Sequence, residues 1–156
     1  MRSVLFFLST NRDVFERLKT EVDEFCERNE ALRAISYSQT QQLPYLKAVV
    51  RESLRMYPSI PAQLYRFAPE GGLSIEGQHI APGTIVSISP LAQNRDKAVY
   101  GEDADQFRGE RWLEDEAKAR HFESTLMNFG GSGRRSCPGK DLAMVGVSNA
   151  YSSEGS

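Results

Sequence analysis

Near Pro69 the spacing of apolar residues changes from three-or-four to two, and this switch limits the possible folds more than any other feature of the chain. Before it, Leu43, Leu46, Val50, Leu54 and Tyr57 form one stripe at helical spacing, with Pro44 suited to a first turn and Pro58 and Pro61 ending the run. The spacing predicts a helix from Pro44 to about Tyr57. After the switch, Leu73, Ile75 and Ile80 alternate around Glu76-Gly77, and Thr84 to Ile88 follows Pro82-Gly83, which predicts a small hairpin and a further strand. The expected class is mainly α with a small β-sheet, an α+β arrangement.

Upstream, Val14, Phe15, Leu18, Val22 and Phe25 recur on one helical face behind Asn11, a good N-cap residue. Cys26 at the end of that helix reads as a half-buried thiol without chemistry. The apolar run Val4 to Leu8 is too short to span a membrane and is read as buried structure. Residues 101–120 are polar and charged, and read as a loop with short helical pieces anchored by Trp112. With 156 residues, 40% of them hydrophobic, one domain with its own core is expected.

The net charge of −2 gives no electrostatic case for a nucleic-acid or anionic-membrane partner. Cys26 and Cys137 are the two cysteines and have no CxxC partner, so neither a disulfide framework nor a zinc site is indicated, and a reducing compartment fits best. His79 and His121 each lack a second ligand at metal spacing and read as structural or exposed. Glu52 and Arg55 stand at i and i+3, and a lone pair of this kind is ordinarily a surface contact worth about a few tenths of a kcal/mol.

The stretch Asn128 to Lys140, NFGGSGRRSCPGK, asks for chemistry. It is not a phosphate loop: Gly133 and Gly139 are separated by five residues, and Asp141 follows Lys140. A cysteine nucleophile would need a base, and nothing places His121 near Cys137. A metal-bound thiolate is the third option. Pro138 begins a plausible helix through Asp141, Leu142, Met144 and Val145, which sets the sulfur at a helix N-terminus where N–H groups favour an anion. The glycines let the backbone turn tightly around the sulfur, and a single soft thiolate held this way suits an axial ligand to haem iron.

In this respect the chain resembles the cytochrome P450 haem-thiolate monooxygenases. Gly133, Arg135, Cys137 and Gly139 match the family loop Phe-x-x-Gly-x-Arg-x-Cys-x-Gly in register, while Phe129 stands one residue further from the cysteine than the family phenylalanine. The helix LPYLKAVVRESLRMYPSIP is similar to the family helix bearing Glu-x-x-Arg, here Glu52 and Arg55. FRGERW, Phe107 to Trp112, is similar to Phe-x-Pro-Glu-Arg-Phe/Trp, with Gly109 where proline is usual. The resemblance implies haem b, iron protoporphyrin IX, ligated by Cys137 and flanked by Gly133 and Phe129. It implies arginines reaching the propionates from Arg66 and Arg135, and a buried network of Glu52, Arg55 and Arg111.

The resemblance covers residues 1 to about 147 and is to the C-terminal haem-binding part of the family fold. Residues 1–147 are therefore expected to form a partial domain, and 148–156, a polar serine-rich end, a disordered tail. The family's oxygen-activating Ala/Gly-Gly-x-x-Thr motif does not occur in the sequence; VLFFLSTN looks like the end of the helix that bears it, or the turn after. A truncated or alternatively spliced product is the expectation. The family implies an NADPH-dependent reductase, a small apolar substrate and the cytoplasmic face of the endoplasmic reticulum, although no anchor is seen here. Two functions follow: a monooxygenase inserting one atom of O2 into an apolar substrate, and a non-catalytic remnant retaining the haem-ligand loop, the latter favoured for the isolated chain. An anion-binding module using the Gly/Arg loop is a third.

Overall fold

The computed structural model describes residues 2–29, 35–131 and 136–152, with side chains described as far as residue 146. Two helices open the chain, α1 (Arg2–Thr10) and α2 (Arg12–Arg28). The short α3 (Tyr37–Thr40) and the central α4 (Pro44–Met56) follow. Four strands come next: β1 (Leu64–Phe67), β2 (Leu73–Ile75), β3 (Gln78–Ile80) and β4 (Ile85–Ile88). One-turn helices α5 (Pro90–Gln93) and α6 (Lys97–Tyr100), a 3-10 turn (Gly109–Trp112), α7 (Glu116–Thr125) and α8 (Lys140–Ser152) complete the described order.

α4 is the axis of the molecule. Ten of its thirteen residues are buried, so it cannot be a one-sided amphipathic helix. One flank packs with Val4 and Leu8 of α1 and Val14, Leu18 and Phe25 of α2 in the main apolar cluster. On the other flank, Ala48 joins Tyr100, Ala104, Trp112 and Phe122 in a second cluster, where Trp112 meets Phe122 edge-on at 5.8 Å between ring centroids. Trp112 is thus the buried anchor its segment called for. The start of α4 is stitched to α2. Pro44 needs no partner at the first position, and the carboxylate of Glu21 accepts from the N–H groups of Tyr45 and Leu46, both at 2.8 Å.

Several residues depart from the sequence pattern. Asn11 stands at the N-cap of α2 but donates from Nδ2 to the Phe7 carbonyl at 2.8 Å, because α1 ends immediately before it and its last carbonyls also need donors. Phe15 is exposed rather than part of the α2 stripe, and Tyr57 projects from the end of α4. The run Val4 to Leu8 is buried only on the face of Val4, Phe7 and Leu8, since a helix turns Leu5 and Phe6 outward. No described helix is long and apolar enough to cross a membrane.

The strands form two separate antiparallel pairs. In β2–β3, Ile75 pairs with Gln78 across Glu76 (φ 48°) and Gly77 (φ 79°), the two positive φ values of a type I′ hairpin turn. β4 pairs not with this hairpin but with β1, from Leu64↔Ile88 to Phe67↔Ile85, a partner strand that no alternation in the sequence announces. Tyr65, Phe67 and Ile85 share one exposed face of that ribbon, and Phe67 is 72% exposed. At the other end of the chain, α8 carries through residue 152. The segment expected to be a disordered tail from residue 148 is therefore helical at its start, as a continuation of the turn that begins at Lys140.

Candidate functional site

The structure brings Glu52, Arg55 and Arg111 into one buried cluster, each at most 2% exposed. The surface placement expected of a lone i,i+3 pair does not hold, because the face of α4 that carries them is covered by the segment 94–112. Glu52 Oε1 accepts from Arg55 Nη2 (2.8 Å), Arg111 Nε (2.9 Å) and the Arg108 amide (2.9 Å). Its Oε2 accepts from Arg55 Nε and the Trp112 indole N–H, both at 2.9 Å. Arg55 spends its remaining donors on the carbonyls of Asn94 and Ala104, each at 2.7 Å, on Gln106 at 3.1 Å and on the Met56 sulfur at 3.0 Å. Arg111 reaches the Tyr100 carbonyl at 2.9 Å and the Asp103 carbonyl at 3.1 Å. Each buried charge thus has the hydrogen bonds that desolvation demands.

Two guanidinium charges against one carboxylate leave an excess, and Asp103 offsets it. Its Oδ1 lies 3.3 Å from Arg111 Nη1, and its Oδ2 accepts from Arg108 Nε at 2.7 Å. Burial raises the Asp103 carboxyl, but the hydrogen bond from Arg108 and the charge of Arg111 outweigh it, so the group sits below the ordinary aspartate range. A lowered folded value means that the stability Asp103 contributes is complete above about pH 4 and is lost as pH falls through the folded value. Urea unfolding of the protein and of Asp103→Asn should therefore differ at neutral pH and converge on acidification below about pH 4.

The cysteine loop begins where α7 ends. Asn94, fully buried, accepts from the Met127 amide at 3.0 Å and donates to Asn128 Oδ1 at 2.9 Å. Phe129 then packs partly buried against the main cluster, and its carbonyl accepts from the Cys137 amide at 2.8 Å. Gly130 (φ 80°) and Gly131 (φ 76°) both take the left-handed conformation immediately after Phe129. A Cβ on Gly131 would also lie 3.2 Å from Met127 Sδ, so a larger residue there would have to push that side chain aside as well as adopt a positive φ. Residues 132–135, with Gly133 and Arg135, lie outside the described residues.

Cys137 is exposed, while Cys26 is half-buried and packs against the main cluster. The Cys137 carbonyl accepts from the Lys140 amide at 3.2 Å, and that of Gly139 from Ala143 at 2.9 Å. Pro138 and Gly139 thus form the turn that leads into α8, two residues later than the proline suggested. Arg66 sits exposed on β1 and donates to the Tyr65 carbonyl at 2.8 Å; no hydrogen bond joins it to the described loop residues. A cavity of about 350 Å³ between α4, α7 and the loop is lined by Leu54, Phe129, Lys140 and Met144, but not by Cys137. Among the described residues no cluster of histidine, cysteine and carboxylate side chains could hold a metal ion.

Asn94, Asp103 and Arg108 escape a reading of the sequence. None lies on an apolar period, and their roles depend on the fold of 94–112 against α4.

The sequence model of the cytochrome P450 family matches residues 1–151. Pisatin demethylase of Fusarium vanettenii is 39% identical over 155 residues, 96% of this chain and 28% of the relative. The cytochrome P450 monooxygenase cicH of Emericella nidulans is 41% identical over 146 residues, 93% of this chain and 29% of the relative. A cytochrome P450 monooxygenase of Alternaria alternata is 37% identical over 143 residues, 92% of this chain and 38% of the relative. The chain belongs to the cytochrome P450 family, whose members bind haem. It spans 28% to 38% of the length of these relatives.

Proposed function

We propose that the chain is the C-terminal, haem-ligating portion of a cytochrome P450 monooxygenase, with residues 1–147 as its partial domain. Cys137 is the axial thiolate. The observation that carries this is its placement: an exposed sulfur whose backbone is fixed by the Phe129 carbonyl on one side and by the first turn into α8 on the other. The donor chemistry fits, since a single soft cysteine sulfur left exposed by its loop is the ligand type that haem iron takes. Arg66 retains free donors for a carboxylate after its bond to Tyr65, and in this role it and Arg135 hold the propionates. Phe129 packs beside the turn, Gly133 matches the family loop in sequence, and Glu52, Arg55 and Arg111 keep the scaffold behind it rigid. When bound, haem supplies the iron at which O2 is activated, one oxygen atom passing to a small apolar substrate with electrons from an NADPH-dependent reductase.

A second reading concerns the chain alone: it is a non-catalytic remnant that retains the ligand loop. The open apolar face of Tyr65, Phe67 and Ile85 favours it, because a complete domain rarely leaves such large side chains to water. Expressed with haem and given NADPH and a reductase, the 156-residue chain is expected to form no product. Substrate-dependent product coupled to NADPH consumption would overturn the remnant reading.

A further inference from the structure

We propose that Asn94 is a positioning residue that couples the buried charge network to the cysteine loop. Its backbone carbonyl accepts from Arg55 Nη1 at 2.7 Å, so its place is set by the network. Its side chain faces the loop and uses both ends of the amide: Oδ1 takes the Met127 N–H at 3.0 Å, and Nδ2 donates to Asn128 Oδ1 at 2.9 Å. The next residue, Phe129, holds the Cys137 amide through its carbonyl at 2.8 Å. Hydrogen bonds therefore lead from Glu52 through Arg55 and Asn94 to Asn128, and one peptide step further Phe129 holds the backbone of Cys137.

Two features make Asn94 a clamp rather than one more buried amide. It is completely buried, and its two side-chain bonds fall on consecutive residues, which fixes both the translation and the rotation of the loop entry. Asn128 is meanwhile held with Oδ1 toward Asn94 although its buried Nδ2 then has no partner among the described residues. Turning the Asn128 amide over would set two NH2 groups against each other, so its orientation follows from that of Asn94. Alanine at position 94 removes the clamp without touching the backbone carbonyl that Arg55 uses, so the loop can be released while the network stays intact.

The functional meaning of the clamp rests on Cys137 being the haem ligand, but its test does not need haem. Amide hydrogen exchange of the 156-residue chain should show Met127 and Cys137 exchanging about tenfold faster in Asn94→Ala, with the amides of α4 unchanged. Asn128→Ala, at a partly exposed site, should accelerate Cys137 while leaving Met127 protected, and it carries the test should Asn94→Ala fail to fold. An unchanged Cys137 amide in a folded Asn94→Ala or in Asn128→Ala would overturn the clamp. Equal acceleration throughout α4 would do the same, since it would mark Asn94 as a general stability residue. Loss of the ligand assignment would instead show as a thiolate spectrum that survives Cys137→Ala, with these exchange rates unaffected.

Discussion

Replacing Arg55 by alanine is expected to lower the free energy of unfolding by about 3–5 kcal/mol. The side chain is fully buried and donates to both oxygens of Glu52, to the carbonyls of Asn94, Ala104 and Gln106, and to the Met56 sulfur. Its removal strands the buried carbonyls of Asn94 and Ala104 and takes one of the two guanidinium partners from a fully buried carboxylate. Lysine should not rescue it, because an ammonium has three donors at one point and cannot span Glu52 and the three carbonyls at once. Arg12 provides the control: its i,i+4 contact with Glu16 is 3.4 Å long and 90% exposed on the arginine side, so Arg12→Ala should cost less than about 1 kcal/mol. Since a domain of this kind has only about 5–15 kcal/mol in total, Arg55→Ala should shift the urea midpoint far or abolish a cooperative transition altogether. A loss under about 1 kcal/mol would mean that the cluster behaves as a surface contact.

The helices α2 and α4 are legible in the sequence because apolar residues repeat there at 3.6, and the β2–β3 hairpin because Glu76-Gly77 separates two alternating runs. β1 is not legible: LYRF shows no alternation of burial, and it becomes a strand only by pairing with β4 across an intervening hairpin. The spacing of Glu52 and Arg55 places them within reach of each other but says nothing about burial, which comes from residues 94–112 folding over α4. Cys137 stands out by its neighbours in sequence. Asn94, 43 positions before it in the chain, does not, since its bonds to Met127 and Asn128 exist only once α7 has turned the loop back.

The other large effect is expected at the loop itself. Phe129 stands eight positions before Cys137, one more than the family pattern, and the described part of the turn places two consecutive residues, Gly130 and Gly131, at positive φ. Glycine tolerates that conformation without a Cβ clash, so ligation should survive the extra residue but be weakened by it. Deleting Gly131 should therefore increase the fraction of thiolate-ligated haem, whereas Gly131→Ala should reduce it, because a methyl group there meets Met127 Sδ at 3.2 Å and the φ of 76° is unfavourable for alanine.

The most direct measurement places this chain in a chimera with the remaining part of a relative such as pisatin demethylase and records the ferrous-carbonyl spectrum. A red-shifted Soret band of a thiolate-ligated haem is expected with Cys137 in place, and its complete loss in Cys137→Ala whatever the length of the glycine run. A red-shifted band that persists in Cys137→Ala would contradict the assignment of Cys137 as the ligand.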